Sequence, residues 1–273
     1  MTINCKGNLV DLSSPKVMGI LNITPDSFFD GGKFQNKKEI LLQTEKMLFE
    51  GATFIDVGAY SSRPGAQHIS ETEELKRIVP VIELLIKKFP EIIISVDTFR
   101  SKIAKETVNA GAAIINDISG GKMDAKMFET VADLQVPYIL MHMLGTPQKM
   151  QQNPVYKDVI QEIILFFAEQ IFKLHQLKLN DIIIDMGFGF GKTTQHNFEI
   201  LKNLSLFKSL DAPILAGISR KSMLYKTLGI NAQQALNATT SANTIALLNG
   251  ASILRVHDVK EAIEAVKIVE QLN

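Results

Sequence analysis

A chain of 273 residues with 46% hydrophobic and 21% charged side chains has ample material for a sizeable core, which excludes a disordered protein. Lys plus Arg and Asp plus Glu both total 29, so the global positive charge of a nucleic-acid or anionic-membrane binder is missing and any anion must be held locally. Cys5 is the only cysteine, which excludes an intramolecular disulfide and argues against a cysteine-based zinc site.

The N-terminal Met1-Thr2-Ile3-Asn4-Cys5-Lys6 has no basic segment followed by a long apolar run. No stretch elsewhere approaches the ~20 apolar residues of a membrane span. These features predict a soluble, cytoplasmic protein with no nucleic-acid and no membrane partner.

In chain order, eight short β-branched runs read as buried parallel strands: Val17–Asn22, Thr53–Gly58, Ile92–Asp97, Ala112–Asp117, Pro137–His142, Ile182–Met186, Pro213–Ile218 and Ser252–His257. Helical periodicity falls between them at Lys37–Glu50, Glu71–Lys88, Ser101–Ala110, Val155–Leu177 and Ala232–Asn249, and Val259–Leu272 closes the chain. Eight strand-helix pairs in ~250 residues predict a (β/α)8 TIM barrel in one domain over residues 1–273. The alternative is a doubly wound sheet in which one or two of these runs are loops. Gly51 and Gly111 follow apolar helical stripes and suit positive-φ C-terminal positions. Ser70 is the expected N-cap of the second helix, with Glu73 reaching back.

In such a barrel the active site lies at the C-terminal ends of the strands, and here those ends are polar. In order they carry Asn22, Asp56, Asp97, Asn116-Asp117, His142, Asp185, Ser219-Arg220-Lys221, and Arg255 with His257. One Asp at a strand end usually caps a helix or anchors a turn. Polar groups at all eight ends instead predict a shared ligand, because a buried amide or charge costs ~1–3 kcal/mol or more without a partner. Carboxylates and amides suit a flat heterocycle rich in N–H donors, whereas Arg63, Lys221, Arg255 and His257 suit an anion such as pyrophosphate.

Two loops point the same way. Thr24-Pro25-Asp26-Ser27-Phe28-Phe29-Asp30-Gly31-Gly32 reads as a lid carrying two phenylalanines, and Ser61-Ser62-Arg63-Pro64-Gly65-Ala66 places hydroxyls and a guanidinium above the second strand. Solvated turns are the plainer alternative for both. Gly187-Phe188-Gly189-Phe190-Gly191-Lys192-Thr193 is not a Walker A loop, since Met186 stands where its first glycine is needed, and its spacing fails the dinucleotide fingerprint. It reads as a glycine-rich loop that lets backbone and Phe190 approach a ligand. His68, His175 and His196 read as surface histidines.

Four segments together resemble one family: Ile20-Leu21-Asn22-Ile23-Thr24-Pro25-Asp26-Ser27-Phe28, Asp185-Met186-Gly187-Phe188-Gly189-Phe190-Gly191-Lys192, Gly217-Ile218-Ser219-Arg220-Lys221-Ser222, and Arg255-Val256-His257-Asp258-Val259. They look like the signature segments of dihydropteroate synthases, in the expected order, over nearly the whole chain. The resemblance implies a transferase that condenses 6-hydroxymethyl-7,8-dihydropterin pyrophosphate with p-aminobenzoate, giving 7,8-dihydropteroate and pyrophosphate. It implies that Asp97, Asn116, Asp185 and Lys221 hold the pterin, and that Asn22 binds the Mg²⁺ accompanying the pyrophosphate. Arg63, Arg255 and His257, with Ser62, would grip the pyrophosphate oxygens. Phe28, Ser62, Pro64, Phe190, Lys221 and Ser222 would surround p-aminobenzoate, with its carboxylate near the helix starting at Ser222. Asp97, Lys221, Arg63 and Asp30 would serve catalysis, Asp30 by shaping the pocket around metal and amine. The family further implies a homodimer and a sulfonamide target.

The sequence departs from the common pattern at Ala59-Tyr60-Ser61-Ser62, where many members have Gly-Glu-Ser-Thr: Tyr60 replaces a carboxylate, and Ser62 keeps the hydroxyl. Three other readings remain at this point. A pterin-barrel methyltransferase would not need Ser62-Arg63-Pro64 or Arg255 with His257, a non-catalytic pterin-binding paralogue could lose Asn22 or Arg63, and a Schiff-base aldolase would want its lysine within a strand.

Overall fold

The computed structural model describes residues 1–23, 33–60, 68–145 and 154–272, and leaves aside the side chains of residues 33–36. A hairpin comes first, β1 (Thr2–Cys5) and β2 (Asn8–Asp11), joined by Lys6 and Gly7 at φ 55° and 88°. Two successive positive φ values are what a tight hairpin turn between twisted strands requires. Then come β3 (Lys16–Asn22), α1 (Lys33–Phe49), β4 (Phe54–Gly58), α2 (Glu71–Lys88), β5 (Ile93–Asp97), α3 (Ser101–Asn109), β6 (Ile114–Asp117) and α4 (Met127–Leu134). The chain continues through β7 (Tyr138–Met141), α5 (Val159–Gln176), β8 (Ile182–Asp185), α6 (Thr194–Lys202), a 3₁₀ turn (Leu204–Leu210) and β9 (Ile214–Ala216). It ends with α7 (Ser222–Leu228), α8 (Leu236–Leu248), β10 (Ile253–Val256) and α9 (Val259–Glu270).

β3 to β10 pair in parallel in sequence order, and β10 closes on β3, so the eight runs form the closed barrel that the alternation predicts. The open-sheet alternative is excluded. Parallel strands covered on both faces must be apolar on both, and β4, β6, β7 and β8 are buried at every position. Side chains alternate between two layers. Ile55, Val57, Ile94, Val96, Ile115, Leu140, Ile182 and Ile184 pack outward in the core shared with the helices. Met18, Phe54, Ile114, Ile139, Ile183, Leu215 and Ile253 fill the lower interior.

That interior core also contains Ile3, Cys5 and Leu12, so the hairpin plugs the end of the barrel opposite the strand C-termini. The Asn4 amide donates to Asp181 Oδ2 at 3.1 Å and ties the plug to the approach to β8. With its floor sealed, the barrel opens only at the other end.

Gly51 and Gly111 take φ 103° and 123° as expected. Ser70 caps α2 by accepting the Glu73 amide, but the Glu73 carboxylate binds Arg77 Nε at 2.7 Å instead of reaching back. A guanidinium one turn on offers a charged partner, which outcompetes a neutral N–H.

Candidate functional site

Strand alternation divides the polar residues at the strand ends into two sets. Asp56, Asp97, Asn116, Asp185 and Arg255 share the inward parity of Phe54, Ile93, Ile114, Ile139, Ile183 and Ile253, one layer above the apolar floor. They meet across the barrel. Arg255 Nε donates to Asp56 Oδ2 at 2.6 Å, and its second arm reaches Asp97 Oδ2 at 3.2 Å. Asn116 Nδ2 donates to the same Asp56 oxygen at 3.1 Å. Asp56 Oδ1 and Asn116 Oδ1 are buried with no hydrogen-bond partner among the described residues.

The expectation that the polar groups at all eight strand ends converge needs correcting at three residues, of which Arg220 pairs away with Asp258. Asp117 and His142 have the opposite parity and face the helices. Asp117 accepts the Tyr138 hydroxyl at 2.7 Å and the amides of Ser119 and Gly121, anchoring the turn after β6. His142 is buried among Tyr156, Phe166 and Phe167. An adjacent pair such as Asn116-Asp117 cannot send both side chains into one barrel.

Asp185 is held at the mouth by the Gly187 amide, which donates to Oδ1 at 2.8 Å. Gly217 leaves a small space between it and Lys221: a Cβ there would stand 3.7 Å from Asp185 Oδ2 and 3.9 Å from Lys221 Nζ. Lys221 donates to the Phe188 carbonyl, and its ammonium lies 4.9 Å from the centre of the Phe190 ring. The structure thus sets Phe190 beside Lys221. Ser222 opens α7 directly after Lys221.

Asn22 ends β3 beside Gly58, where a Cβ would stand 3.6 Å from Asn22 Oδ1 and 3.5 Å from Asp97 Cβ. After β10, the strand next to β3, His257 Nδ1 lies 3.0 Å from Ser219 Oγ. Arg220, between Ser219 and Lys221, turns away into a two-armed pair with Asp258 at 2.8 Å on each arm. Phe28, Asp30, Ser62, Arg63 and Pro64 lie outside the described residues. Tyr60, at the edge of that gap, packs edge-on to Phe99 and meets His68 Nδ1 at 3.3 Å.

Crowding buried charges at the mouth moves their acidities. Burial pushes the Asp97 carboxyl up to about 7, against the pull of Arg255 and with the repulsion of Asp56. Burial also raises Asp185, opposed by Lys221, the Gly187 amide and Arg255. Lys221 is brought down to about 8 by burial, with Asp185 resisting. Such a cluster at the C-terminal end of a barrel has the character of a working site rather than of a structural network.

Two residues have partners that the sequence does not show. Asp56 stands out as a strand-end acid, but only the structure shows it anchoring both Arg255 and Asn116. Lys192 looks like a loop lysine beyond the strands, yet it is 3% exposed. Its only signal is its place at the end of the glycine-rich run.

A model of the pterin binding enzyme family matches residues 18–257. The dihydropteroate synthase of Escherichia coli K12 is 42% identical over 272 residues, which are 99% of this chain and 96% of that protein. The chain belongs to the dihydropteroate synthase family. The Haemophilus influenzae Rd synthase is 42% identical as well, covering 98% of each chain. A Yersinia pestis dihydropteroate synthase solved with a sulfonamide drug superimposes with a TM-score of 0.93 at 43% identity, covering 100% of this chain and 99% of that one. The Xanthomonas albilineans synthase solved with 4-aminobenzoic acid gives 0.92 at 37% identity, covering 99% and 97%. The activity of this chain is dihydropteroate synthesis, a transferase step of folate biosynthesis.

Proposed function

We propose that the barrel mouth binds 6-hydroxymethyl-7,8-dihydropterin pyrophosphate with its ring among Asp97, Asn116, Asp185 and Lys221, and condenses it with p-aminobenzoate to release pyrophosphate. The observation that carries this reading is the pair of buried acceptors, Asp56 Oδ1 and Asn116 Oδ1, in the same barrel mouth as the carboxylates Asp97 and Asp185. Unmet acceptors in a dry site call for a ligand edge rich in N–H donors, and a pterin ring supplies one.

The substitution breaks the bond between the pterin methylene carbon and the pyrophosphate oxygen and joins that carbon to the aniline nitrogen. As the bond breaks, positive charge grows on the ring and negative charge on the leaving group. The Asp97 carboxylate stabilises the first. Arg255, His257 and Arg63, with Ser62, offset the second. An aniline is unprotonated at neutral pH, so the attack needs no strong base, and the acidic proton on the newly bonded nitrogen is lost to solvent or to the departing pyrophosphate. Lys221 and Phe190 border both the ring subsite and the p-aminobenzoate subsite, which Ser222, Phe28, Ser62 and Pro64 complete; Asp30 shapes its edge.

Mg²⁺ belongs to the same reading. Among the described residues no group of three His, Cys, Asp or Glu side chains could hold a metal ion. The amide oxygen of Asn22 at the rim suits a hard cation that keeps several waters and takes its remaining oxygens from a phosphate. When bound, Mg²⁺ neutralises charge on the pyrophosphate. The proposal extends to a homodimer, supported by Ile245 and Leu248 of α8 and Ile268 of α9, which are exposed. It places the enzyme in the cytoplasm, in keeping with a free, buried Cys5; no helix among the described residues is long and apolar enough to cross a membrane.

Arg255 gives a discriminating test. Its guanidinium is engaged with Asp56 and Asp97, so an anion must draw it outward. Arg255→Ala is expected to weaken the pyrophosphate substrate far more than free 6-hydroxymethylpterin when both are titrated calorimetrically. Equal losses for the two ligands would show that Arg255 does not read the anion.

A further inference from the structure

Among the described residues, the mechanism leaves the buried Lys192 unused. Lys192 follows the loop after β8, in which Gly187, Gly189 and Gly191 all take positive φ, 64°, 81° and 63°. Repeated left-handed turns expose carbonyl groups that neither helix nor strand can satisfy. The Lys192 side chain folds back beneath the loop and satisfies them: Nζ donates to the Gly187, Phe190 and His142 carbonyls, each at 3.1 Å. A fourth acceptor, His142 Nδ1, lies 3.0 Å away. Burial, reinforced by the Lys192 charge, drives the His142 pKa down to about 2, so the ring is neutral and can accept.

The groups Lys192 grips are the ones that hold the site. Gly187, whose carbonyl it binds, donates its own amide to Asp185 Oδ1 at 2.8 Å. Phe190, whose carbonyl it also binds, carries the ring set against Lys221, and the intervening Phe188 carbonyl accepts the Lys221 ammonium. The loop has little freedom to compensate. A Cβ on Gly187 would meet the His142 carbonyl oxygen at 2.0 Å, and one on Gly191 the Leu144 carbonyl oxygen at 2.5 Å, so the backbone is pressed against the chain leaving β7. Asn197, buried at the start of α6, braces the other side by accepting the Gly189 amide at 2.7 Å.

We propose that Lys192 is a positioning residue for the pterin subsite: its ammonium clamps the glycine-rich loop so that Asp185 and Lys221 keep the places in which they meet the ring. It touches no substrate and acts through the Gly187 and Phe190 peptides. The proposal rests on the reading that Asp185 and Lys221 hold the pterin.

The test uses Lys192→Met, which keeps the length and loses every donor, with calorimetric titration of 6-hydroxymethylpterin and, separately, of inorganic pyrophosphate with Mg²⁺. Lys192→Met is expected to weaken the pterin tenfold or more while pyrophosphate binding changes less than twofold. Val131→Ala, on the buried face of α4, controls for stability loss alone and should leave both affinities unchanged at a temperature well below its Tm. If Lys192→Met does not fold, Lys192→Gln, which keeps two N–H donors, is expected to weaken the pterin at least threefold. Asp185→Asn separates the two claims. If it weakens the pterin and neither Lys192 variant does, the positioning role is overturned and the site reading stands. If Asp185→Asn leaves the pterin unaffected, the site reading falls and the positioning role falls with it.

Discussion

Asp97 sits where two demands conflict. To stabilise a cationic pterin it must be ionised, yet burial in the ligand-free mouth holds its pKa up at about 7, with Arg255 offsetting only part of that cost. Because the folded state favours the neutral acid, Asp97 stabilises the fold fully below its ordinary value of 3.8, and that contribution is lost as pH rises from there towards about 7. Asn in its place has no such dependence. Differential scanning calorimetry should therefore find the Tm of Asp97→Asn, relative to the parent, more favourable at pH 8 than at pH 5; the same difference at both would contradict the shift. Turnover should fall by about 100-fold, the equivalent of about 3 kcal/mol for a charge removed from opposite a developing cation. At this scale the sequence was readable by position and unreliable by direction. Asn22, Asp56, Asp97, Asn116, Asp185 and Arg255 all stand at the predicted strand ends, but Asp117 and His142 face the helices, because neighbouring residues in a strand point to opposite sides.

Among the elements, the barrel strands were legible because each is a short β-branched run buried on both faces, and their ends fall within one or two residues of those predicted. The terminal hairpin was not. β1 and β2 have four residues each, and only the alternating burial of Ile3 and Cys5 marks β1. The short helices α4 and α6, eight and nine residues long, were given no bounds, whereas α3, also nine, is marked by the Gly111 that follows it. The hairpin nevertheless has a defined task, because Ile3 is 1% exposed and lies against the floor formed by Met18, Phe54 and Ile183. Ile3→Ala is expected to cost about 2–5 kcal/mol, read as a lowered denaturant midpoint. The KM values for both substrates should stay unchanged, since the floor lies a full side-chain layer below Asp97. A changed KM at unchanged stability would mean that the plug governs the site rather than the fold.

For the molecule as a whole, one end of the barrel is sealed by apolar packing and the other carries the charged groups, so both substrates enter from the same side. On the proposed reading the pterin takes the deeper ground among Asp97, Asn116, Asp185 and Lys221, and its pyrophosphate competes for Arg255, which is paired with Asp56 at 2.6 Å. The same reading puts p-aminobenzoate above it, beside Phe190, Lys221 and Ser222. A ligand that organises the mouth lowers the cost of binding the next one. Calorimetry should accordingly detect p-aminobenzoate, and sulfonamides that share its aniline, only once pyrophosphate and Mg²⁺ are present. Equally tight binding to the bare protein would contradict this order.

Steady-state release of pyrophosphate from 6-hydroxymethyl-7,8-dihydropterin pyrophosphate, followed with and without p-aminobenzoate in the parent and in Asp97→Asn, tests the reaction and its site together. The expected result is release in the parent that rises steeply with p-aminobenzoate and matches the dihydropteroate formed, and release at least 50-fold slower in a correctly folded Asp97→Asn, the lower edge of a loss of about 3 kcal/mol. Release indifferent to p-aminobenzoate, or an Asp97→Asn enzyme as fast as its parent, would contradict it.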